Sequence, residues 1–401
     1  ADADLDLVGV TLLYREGYAR QHLDEMGNQT ETYGEIDPHR FLIDTGIDIT
    51  LPLDDGQLHA KIWVYDVSGV PIYFLDTHHP SNPPEHAALC SRLYGGTDET
   101  RLRQEYLLGV GGVRAMRALG HVITGLHLNE GHSTFALLEM LHQGWTREDL
   151  SERTLFTTHT PVSAGHDRFE WEQVDQVLGE MLPKDSPALV RAAGDPEGGS
   201  RCSMSHLAVA LAGSVNAVSN LNAWVASGMF ADKHIHPITN GVHHLTWTSP
   251  PMASLFDTHL DGWGEDPAVL AHAGRIPDDV LLAARSECRS VLRELVTAAT
   301  GQVLFEDRLT IGFARRFATY KRADLVFSNI ERLRAIGGGR IQFVFAGKAH
   351  PRDEGGKDLI REVFAGAARL VDDIPVVFLE DYSMATGLAM TSGVDIWLNN
   401  P

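Results

Sequence analysis

The sequence predicts an α/β protein of two units, each built around a parallel β-sheet. Three observations carry that prediction. The chain has 401 residues, more than one compact core ordinarily serves. Its apolar runs are short and nearly continuous, the pattern of strands covered on both faces. Helical segments lie between those runs, as parallel strands require.

Strands are expected at His121–Leu128, Arg153–Thr158 and Val215–Ser219 in the first half. In the second half they are expected at Arg308–Ala314, Ile341–Ala346, Ile374–Leu379 and Val394–Leu398. A helix over Phe135–Leu141 would take Ser133 as its N-cap. A longer one over Pro277–Val296 opens on Asp278 and Asp279 and carries Leu281, Leu282, Cys288, Val291, Leu292, Leu295 and Val296. Loop composition marks Thr77–Glu85, Gly194–Gly199 and Gly337–Gly339. The division into domains is placed at residues 1–239 and 240–401. In such folds ligands sit beyond the carboxyl ends of the strands, so the site is expected in a cleft between the halves.

Composition excludes some functions. The formal net charge is −21, which repels nucleic acid and anionic membrane at long range. No run of roughly 18 apolar residues occurs, so no membrane-spanning helix is expected. The 3 cysteines, Cys90, Cys202 and Cys288, are widely spaced. They form no disulfide framework or zinc pattern, which points to buried thiols and a cytoplasmic location. The sequence starts at Ala1 rather than a methionine, and both natural ends are expected to lie beyond it.

The most distinctive segment is Gly312–Asp324, GFARRFATYKRAD, which follows a predicted strand and gathers Arg315, Arg316, Lys321 and Arg322. Arginine grips phosphate oxygens through parallel donors, and lysine adds a compact charge. A following helix N-terminus would add backbone donors. A solvated basic face has the same composition. In Leu126–Leu138, LHLNEGHSTFALL, a strand ends in Asn129, Glu130 and His132 before a helix. His132 can be read as a ligand group or as a structural hydrogen-bond donor. Asn240-Gly241, within ITNGVHHLTW, reads as a turn or as a sugar-binding asparagine.

The histidine pairs His78–His79, His234–His236 and His243–His244 lack the three or four convergent ligands of a metal site, and no metal is expected. Gly109–Gly112 lacks a full dinucleotide spacing. No carboxylate pair stands out as a glycosidase acid and nucleophile. Residue chemistry alone therefore leads to a cleft enzyme that handles an anion.

The same segments resemble the α-glucan phosphorylases, particularly their shorter bacterial and archaeal branch. Matching stretches run from VGVTLLYREGYARQ at Val8–Gln21, through RLYGGTDETRLRQEYLLGVGG, LNEGH and TTHTPVSAGHDRF, to GFARRFATYKRAD, FAGKAHPRD, VFLEDY and VDIWLNNP at Val394–Pro401. The resemblance implies a GT-B type glycosyltransferase fold, two Rossmann-like domains facing a cleft, with the second domain truncated. It implies an N-terminal glucan-binding domain and a C-terminal domain for phosphate and pyridoxal phosphate. The implied reaction is phosphorolysis of an α-1,4-glucan (glycogen, starch or maltodextrin). Orthophosphate takes the terminal glucose as glucose 1-phosphate with retained configuration. A homodimer is common in the family.

Residue by residue, the resemblance assigns phosphate binding and catalysis to Arg316 and Lys321. It assigns His132 to contact with the terminal glucose, and Asn240 to the same sugar. Arg315, Tyr320, Trp247 and Tyr382 fall on the walls of the pyridoxal 5′-phosphate pocket, with Ser383 where long-chain relatives carry arginine. The family's pyridoxal-binding lysine would follow Pro401, so these 401 residues alone are expected to be inactive. Two other readings stay open: a nucleotide-sugar-dependent GT-B glucan synthase, and a non-catalytic glucan-binding fragment.

Overall fold

The computed structural model describes residues 5–93, 95–160, 162, 165–179, 201–230 and 233–400. The loop expected at Gly194–Gly199 lies outside them. The chain divides into two compact units, Ala1–Tyr18 with Gly34–Asn240, and Ala19–Tyr33 with Gly241–Pro401. The sequence division at 239/240 assigned Ala19–Tyr33 to the first domain, whereas its contacts group it with the second unit. Local pattern could not show this, because the partners of that stretch lie more than 300 residues further on.

The strands, in chain order, begin with β1 (Gly9–Leu12), β2 (Arg20–Leu23), β3 (Gln29–Thr32), β4 (Ile43–Leu53), β5 (Gly56–Val67) and β6 (Val70–Asp76). Then come β7 (Leu126–Asn129), β8 (Thr154–Thr158), β9 (Arg168–Glu170), β10 (Arg201–Ser203), β11 (Ser214–Ala217) and β12 (Ile235–Pro237). The last four are β13 (Leu309–Ala314), β14 (Ile341–Ala346), β15 (Val376–Leu379) and β16 (Ile396–Trp397).

The first unit holds two four-stranded sheets. One has the order β1-β6-β5-β4, parallel only between β1 and β6. Its β5–β6 hairpin closes on Ser68 and Gly69, both at positive φ, the twist that suits a two-residue hairpin turn. The sequence reading named no strand here. The reason is that these strands alternate: Leu58, Ala60 and Ile62 are fully buried on β5 while their neighbours are not all so. The other sheet, β12-β11-β8-β7, is parallel throughout. The unit's buried cluster includes Leu128, Phe135, Leu137, Phe156 and Val215.

Two expectations in this unit need correction. The strand expected from His121 begins only at Leu126, because its partner β8 offers no residue before Thr154. The His121 N–H instead donates to the Met116 carbonyl at 2.9 Å, closing the preceding helix. The helix over Phe135–His142 is not capped by Ser133, which ends a 3-10 turn, Gly131–Ser133. That turn runs directly into the helix through Thr134, whose hydroxyl donates to the Gly131 and Met204 carbonyls.

In the second unit the sheet order is β15-β14-β13-β16, all parallel. Its apolar runs are covered on both sides. Phe313, Phe343 and Phe345 belong to one cluster with Phe317 and Phe327, and Ala314, Val344, Ala346 and Val377 to another. The second cluster includes Leu292 and Val296 of the helix Asp278–Thr300. That helix has Asp278 and Asp279 in its first turn and stops at Gly301, φ 71°. Acidic side chains suit the positive helix start, and glycine accepts the left-handed end. Its buried residues, Ala284, Cys288, Leu292 and Val296, recur every four positions, each larger side chain contributing about 1.5–3 kcal/mol. Leu282 and Val291, apolar residues of the same helix, are exposed. Gly393 packs closely against this helix: a Cβ there would lie 2.5 Å from the Leu292 Cβ.

The antiparallel hairpin β2–β3 completes this unit. No helix among the described residues is long and apolar enough to cross a membrane. Cys90, Cys202 and Cys288 are buried and in no disulfide, and burial pushes the Cys90 thiol up to about 12.

Candidate active site

In the first unit the sequence-predicted residues lie past the carboxyl ends of the parallel sheet. β7 ends at Asn129, and Glu130 follows at φ 64°, ψ 176°. A non-glycine residue in that conformation needs compensation. Glu130 finds it across the strand ends. Its N–H donates to the Thr157 carbonyl at 2.9 Å, and its carboxylate accepts from the His159 N–H, the Thr160 N–H (2.8 Å) and the Thr160 hydroxyl (3.0 Å). This brace joins the end of β7 to the end of β8 and presents His132 on the 3-10 turn behind it.

Burial lowers the His132 pKa, and the Arg101 guanidinium adds to the effect, against the pull of Asp167 and Glu130. The imidazole is therefore neutral at pH 7 and can donate one hydrogen bond and accept another. Arg101 in turn bridges buried Glu105 at 3.2 Å and Asp167 at 3.2 Å. Burial raises the Glu105 carboxyl well above the usual range, with Asp167 reinforcing the shift. Arg101, Asp167, His166 and Arg168 line a cavity of about 380 Å³.

Sequence reasoning missed His159. Among the described residues its Nε2 is buried without a hydrogen-bond partner, and it acts electrostatically on both His127 and His132. Its place in the THT stretch directly after β8 was the available signal. Asn240 is exposed, and its N–H donates to the Val218 carbonyl at 3.1 Å. It follows β12, the sheet edge opposite β7. His132 and Asn240 thus share the carboxyl rim of one sheet, at its two sides, where side chains can face a common ligand.

In the second unit the basic segment leaves the carboxyl end of β13. Its four cations have different surroundings. Arg315 is half-buried and donates to the Asn400 carbonyl at 2.6 Å. Arg316 is exposed. Lys321 stands on the 3-10 turn Thr319–Lys321, with Nζ 4.5 Å from the centre of the Tyr320 ring. Arg322 adopts the left-handed conformation, φ 48°. Its carbonyl accepts from buried Asn400 at 2.7 Å. The helix start expected just behind the cations is absent; short 3-10 turns at Thr319–Lys321 and Ala323–Phe327 take its place. Left-handed Arg322 is the physical reason, since it interrupts helical propagation.

Tyr320 links two of the cations. Burial would raise its phenol, but hydrogen bonds with Arg316 and Lys321, and their charges, hold it below its usual range. Arg316, Tyr320 and Lys321 therefore form one cationic group at the strand end. His350 stands near it. Burial lowers its pKa first, then Arg352 and Arg316, opposed by Asp353 and Glu31. Asn400 and His350 were quoted within sequence motifs but given no role.

Trp247 and Tyr382 also come together. A Cβ on Gly387 would lie 2.8 Å from the Tyr382 hydroxyl and 3.5 Å from the Trp247 ring, so both aromatic side chains converge on that glycine. Burial raises the Tyr382 phenol. Ser383 caps the helix Met384–Gly393 by accepting from the Thr386 N–H at 3.2 Å. A side chain that serves as an N-cap here does not supply the charge of an arginine.

A mixed α/β chain with a parallel sheet in each of two units is consistent with the GT-B type of glycosyltransferase. No protein-family profile matches the chain. Individual relatives do, over its whole length. It is 34% identical to a maltodextrin phosphorylase of Thermococcus litoralis, covering 100% of this chain and 53% of that protein. It is 35% identical to a glycogen phosphorylase of Mycobacterium tuberculosis, again covering 100% and 53%. A glycogen phosphorylase of Aquifex aeolicus is 30% identical, at 100% and 65%. All three are named as glycogen or maltodextrin phosphorylases, which the chain resembles from end to end. The chain spans about half the length of the first two relatives (53%).

Proposed function

We propose that the protein carrying this chain is an α-1,4-glucan phosphorylase, which transfers the terminal glucose of a glucan to orthophosphate with retention. The reading rests on one observation above the rest: Arg316, Tyr320 and Lys321 form a single cationic group past the end of β13. Exposed Arg316 offers a planar fork of donors, and Lys321 a point charge, which together suit the oxygens of a small dianion. Such cations would hold the anionic orthophosphate in place beside the glucosyl carbon, so that its negative charge faces the developing oxocarbenium centre. The named activities of the relatives, glycogen and maltodextrin phosphorylase, agree with it.

The first unit would hold the sugar. Neutral His132 can hydrogen-bond a glucose hydroxyl without placing a charge near a developing oxocarbenium centre. Asn240, exposed beyond β12, supplies an amide for the same purpose. The domain roles that follow are glucan binding for the first unit, and phosphate and cofactor binding for the second.

Pyridoxal 5′-phosphate fits the second unit on one structural ground. Trp247 and Tyr382 converge on Gly387, an apolar, aromatic setting suited to a flat ring, and half-buried Arg315, which gives one donor to the Asn400 carbonyl, has others to offer a phosphate. When bound, the group's phosphate would assist proton transfer to and from orthophosphate. Arg315 would hold it in place, and Arg316 with Lys321 would orient the attacking phosphate.

Replacing Arg316 tests the reading. In the full-length protein, Arg316→Ala should lower kcat/KM for orthophosphate by about 10²–10³, the usual loss for one charge-stabilising donor. Unchanged phosphorolysis would remove Arg316 from the site. Glucosyl transfer from a nucleotide sugar, with none to phosphate, would favour the glucan-synthase reading. Glucan binding without turnover would favour a non-catalytic role.

A further inference from the structure

The hairpin β2–β3 carries two buried glutamines, Gln21 and Gln29, exposed by 1% and 7%. They meet each other: the Gln21 Nε2 donates to the Gln29 Oε1 at 2.8 Å. Both then reach the turn after β14. Gln21 Nε2 donates to the Gly347 carbonyl at 3.0 Å. Gln29 pairs with Ala349 at two points, its Oε1 accepting from the Ala349 N–H and its Nε2 donating to the Ala349 carbonyl, each at 3.0 Å. The Gln21 side chain also accepts from the Asp381 N–H at 3.0 Å, while its backbone N–H donates to the Asp381 carboxylate at 3.2 Å. The two amides serve backbone groups that the sheet leaves unpaired at its carboxyl end.

The opposite side of that turn holds the basic segment. The Lys348 carbonyl accepts from the Phe317 N–H at 2.9 Å, and Phe317 pairs with Ala349 as an isolated parallel bridge. Gly347, at φ 134°, comes so close that a Cβ on it would sit 2.0 Å from the Arg315 carbonyl. The turn 347–349 is therefore a strap between the glutamines and the chain at Arg315–Phe317. A buried amide pair with its partners satisfied admits one arrangement, because each alternative strands a polar group away from water.

We propose that Gln21 and Gln29 are positioning residues for the Arg316–Tyr320–Lys321 site. They fix the strap against which that segment is registered, so affinity for orthophosphate depends on two side chains that do not touch it. The proposal rests on reading that site as the orthophosphate site.

The test is Gln29→Met in the full-length protein, beside Arg316→Ala. Steady-state kinetics give KM for orthophosphate and for glucan separately, calorimetry gives orthophosphate binding, and hydrogen exchange compares Phe317 with core strand residues Phe343 and Phe345. The expected result is a roughly tenfold weaker orthophosphate KM and binding with an unchanged glucan KM, since small misplacements of positioned groups carry such penalties. Exchange at Phe317 should quicken while Phe343 and Phe345 stay protected. Gln21→Met removes the donor to the Gly347 carbonyl and the acceptor for the Asp381 N–H, and should give the same selective loss of orthophosphate affinity. It also decides the matter if Gln29→Met fails to fold. Equal losses for both substrates overturn the proposal, as does an unchanged orthophosphate KM where Arg316→Ala has abolished phosphate use. Unchanged phosphate use in Arg316→Ala overturns the site reading itself, and the proposal with it.

Discussion

Burial holds the His132 imidazole below its usual pKa, and the charge of Arg101 adds to that push, while Asp167 and Glu130 oppose it. The unfolded chain takes up a proton near pH 6.5, which the folded protein resists. Its contribution is therefore fully present above that pH and is lost as pH falls through the window below it. His127 and His350 are lowered as well, and act in the same direction. The variant His132→Gln should accordingly show a smaller drop in urea midpoint than wild type between about pH 7.5 and about pH 5.5. An equal drop in both would assign the effect to the other histidines. At this scale the sequence displayed the cations of Gly312–Asp324 but not their division of labour. Arg315 is engaged by Asn400, which lies 85 positions away, and no local pattern announces that distance. His159 was hidden for another reason: a histidine between two threonines looks structural until the burial of its free nitrogen is known.

Helix and strand were legible where a local signal had no competitor. β13 and β14 are continuous apolar runs sandwiched between two clusters, and the sequence placed them within a residue. The hairpins β4 to β6 were missed because a search for continuous runs overlooks alternating ones. The helix Asp278–Thr300 was found, but the sequence did not tell its buried apolar residues from exposed ones such as Leu282 and Val291. What sets the buried stripe is a neighbour. Gly393 lets the helix Met384–Gly393 approach until a Cβ would lie 2.9 Å from the Cys288 carbonyl and 2.5 Å from the Leu292 Cβ. Neither atom can move without shifting a helix. Gly393→Ala should therefore destabilise the protein by about 2 kcal/mol, the usual penalty of overpacking, read from denaturant unfolding. Gly387 lies on the same helix, yet its nearest neighbour is the Tyr382 hydroxyl, the free end of a side chain. Gly387→Ala should leave the melting temperature nearly unchanged and weaken binding of added pyridoxal 5′-phosphate by displacing Tyr382. A large loss of stability with normal cofactor binding would show that Tyr382 cannot move, and that the aromatic pair is packing alone.

For the molecule as a whole, the main departure from the sequence reading is that the second unit is discontinuous. Chain order runs from the first unit into the hairpin, back to the first unit, and over again after Asn240. Sequence adjacency favours assigning Ala19–Tyr33 to its neighbours, and nothing in its composition argues otherwise. The tertiary contacts do. Leu23 packs on the phenylalanine cluster of the second unit, its N–H donates to the Glu380 carboxylate at 3.1 Å, and Lys348 donates to the Ala19 carbonyl at 3.0 Å. An isolated two-stranded hairpin is marginal in water, so its order must come from the unit it joins. Its protection against hydrogen exchange should then follow that unit's unfolding. With rising denaturant, the amides of Gln21, Leu23 and Gln29 should open together with those of Phe343 and Phe345, as members of one cooperative block. The amides of β1 and β6, nearer in sequence, should open with a different denaturant dependence. If the hairpin opens with β1 and β6 instead, its allegiance lies with the first unit, and the glutamines cannot hold the strap after β14 through the unfolding of that unit. The exchange pattern thus tests, without any substrate, whether the hairpin is part of the body that carries the cationic site.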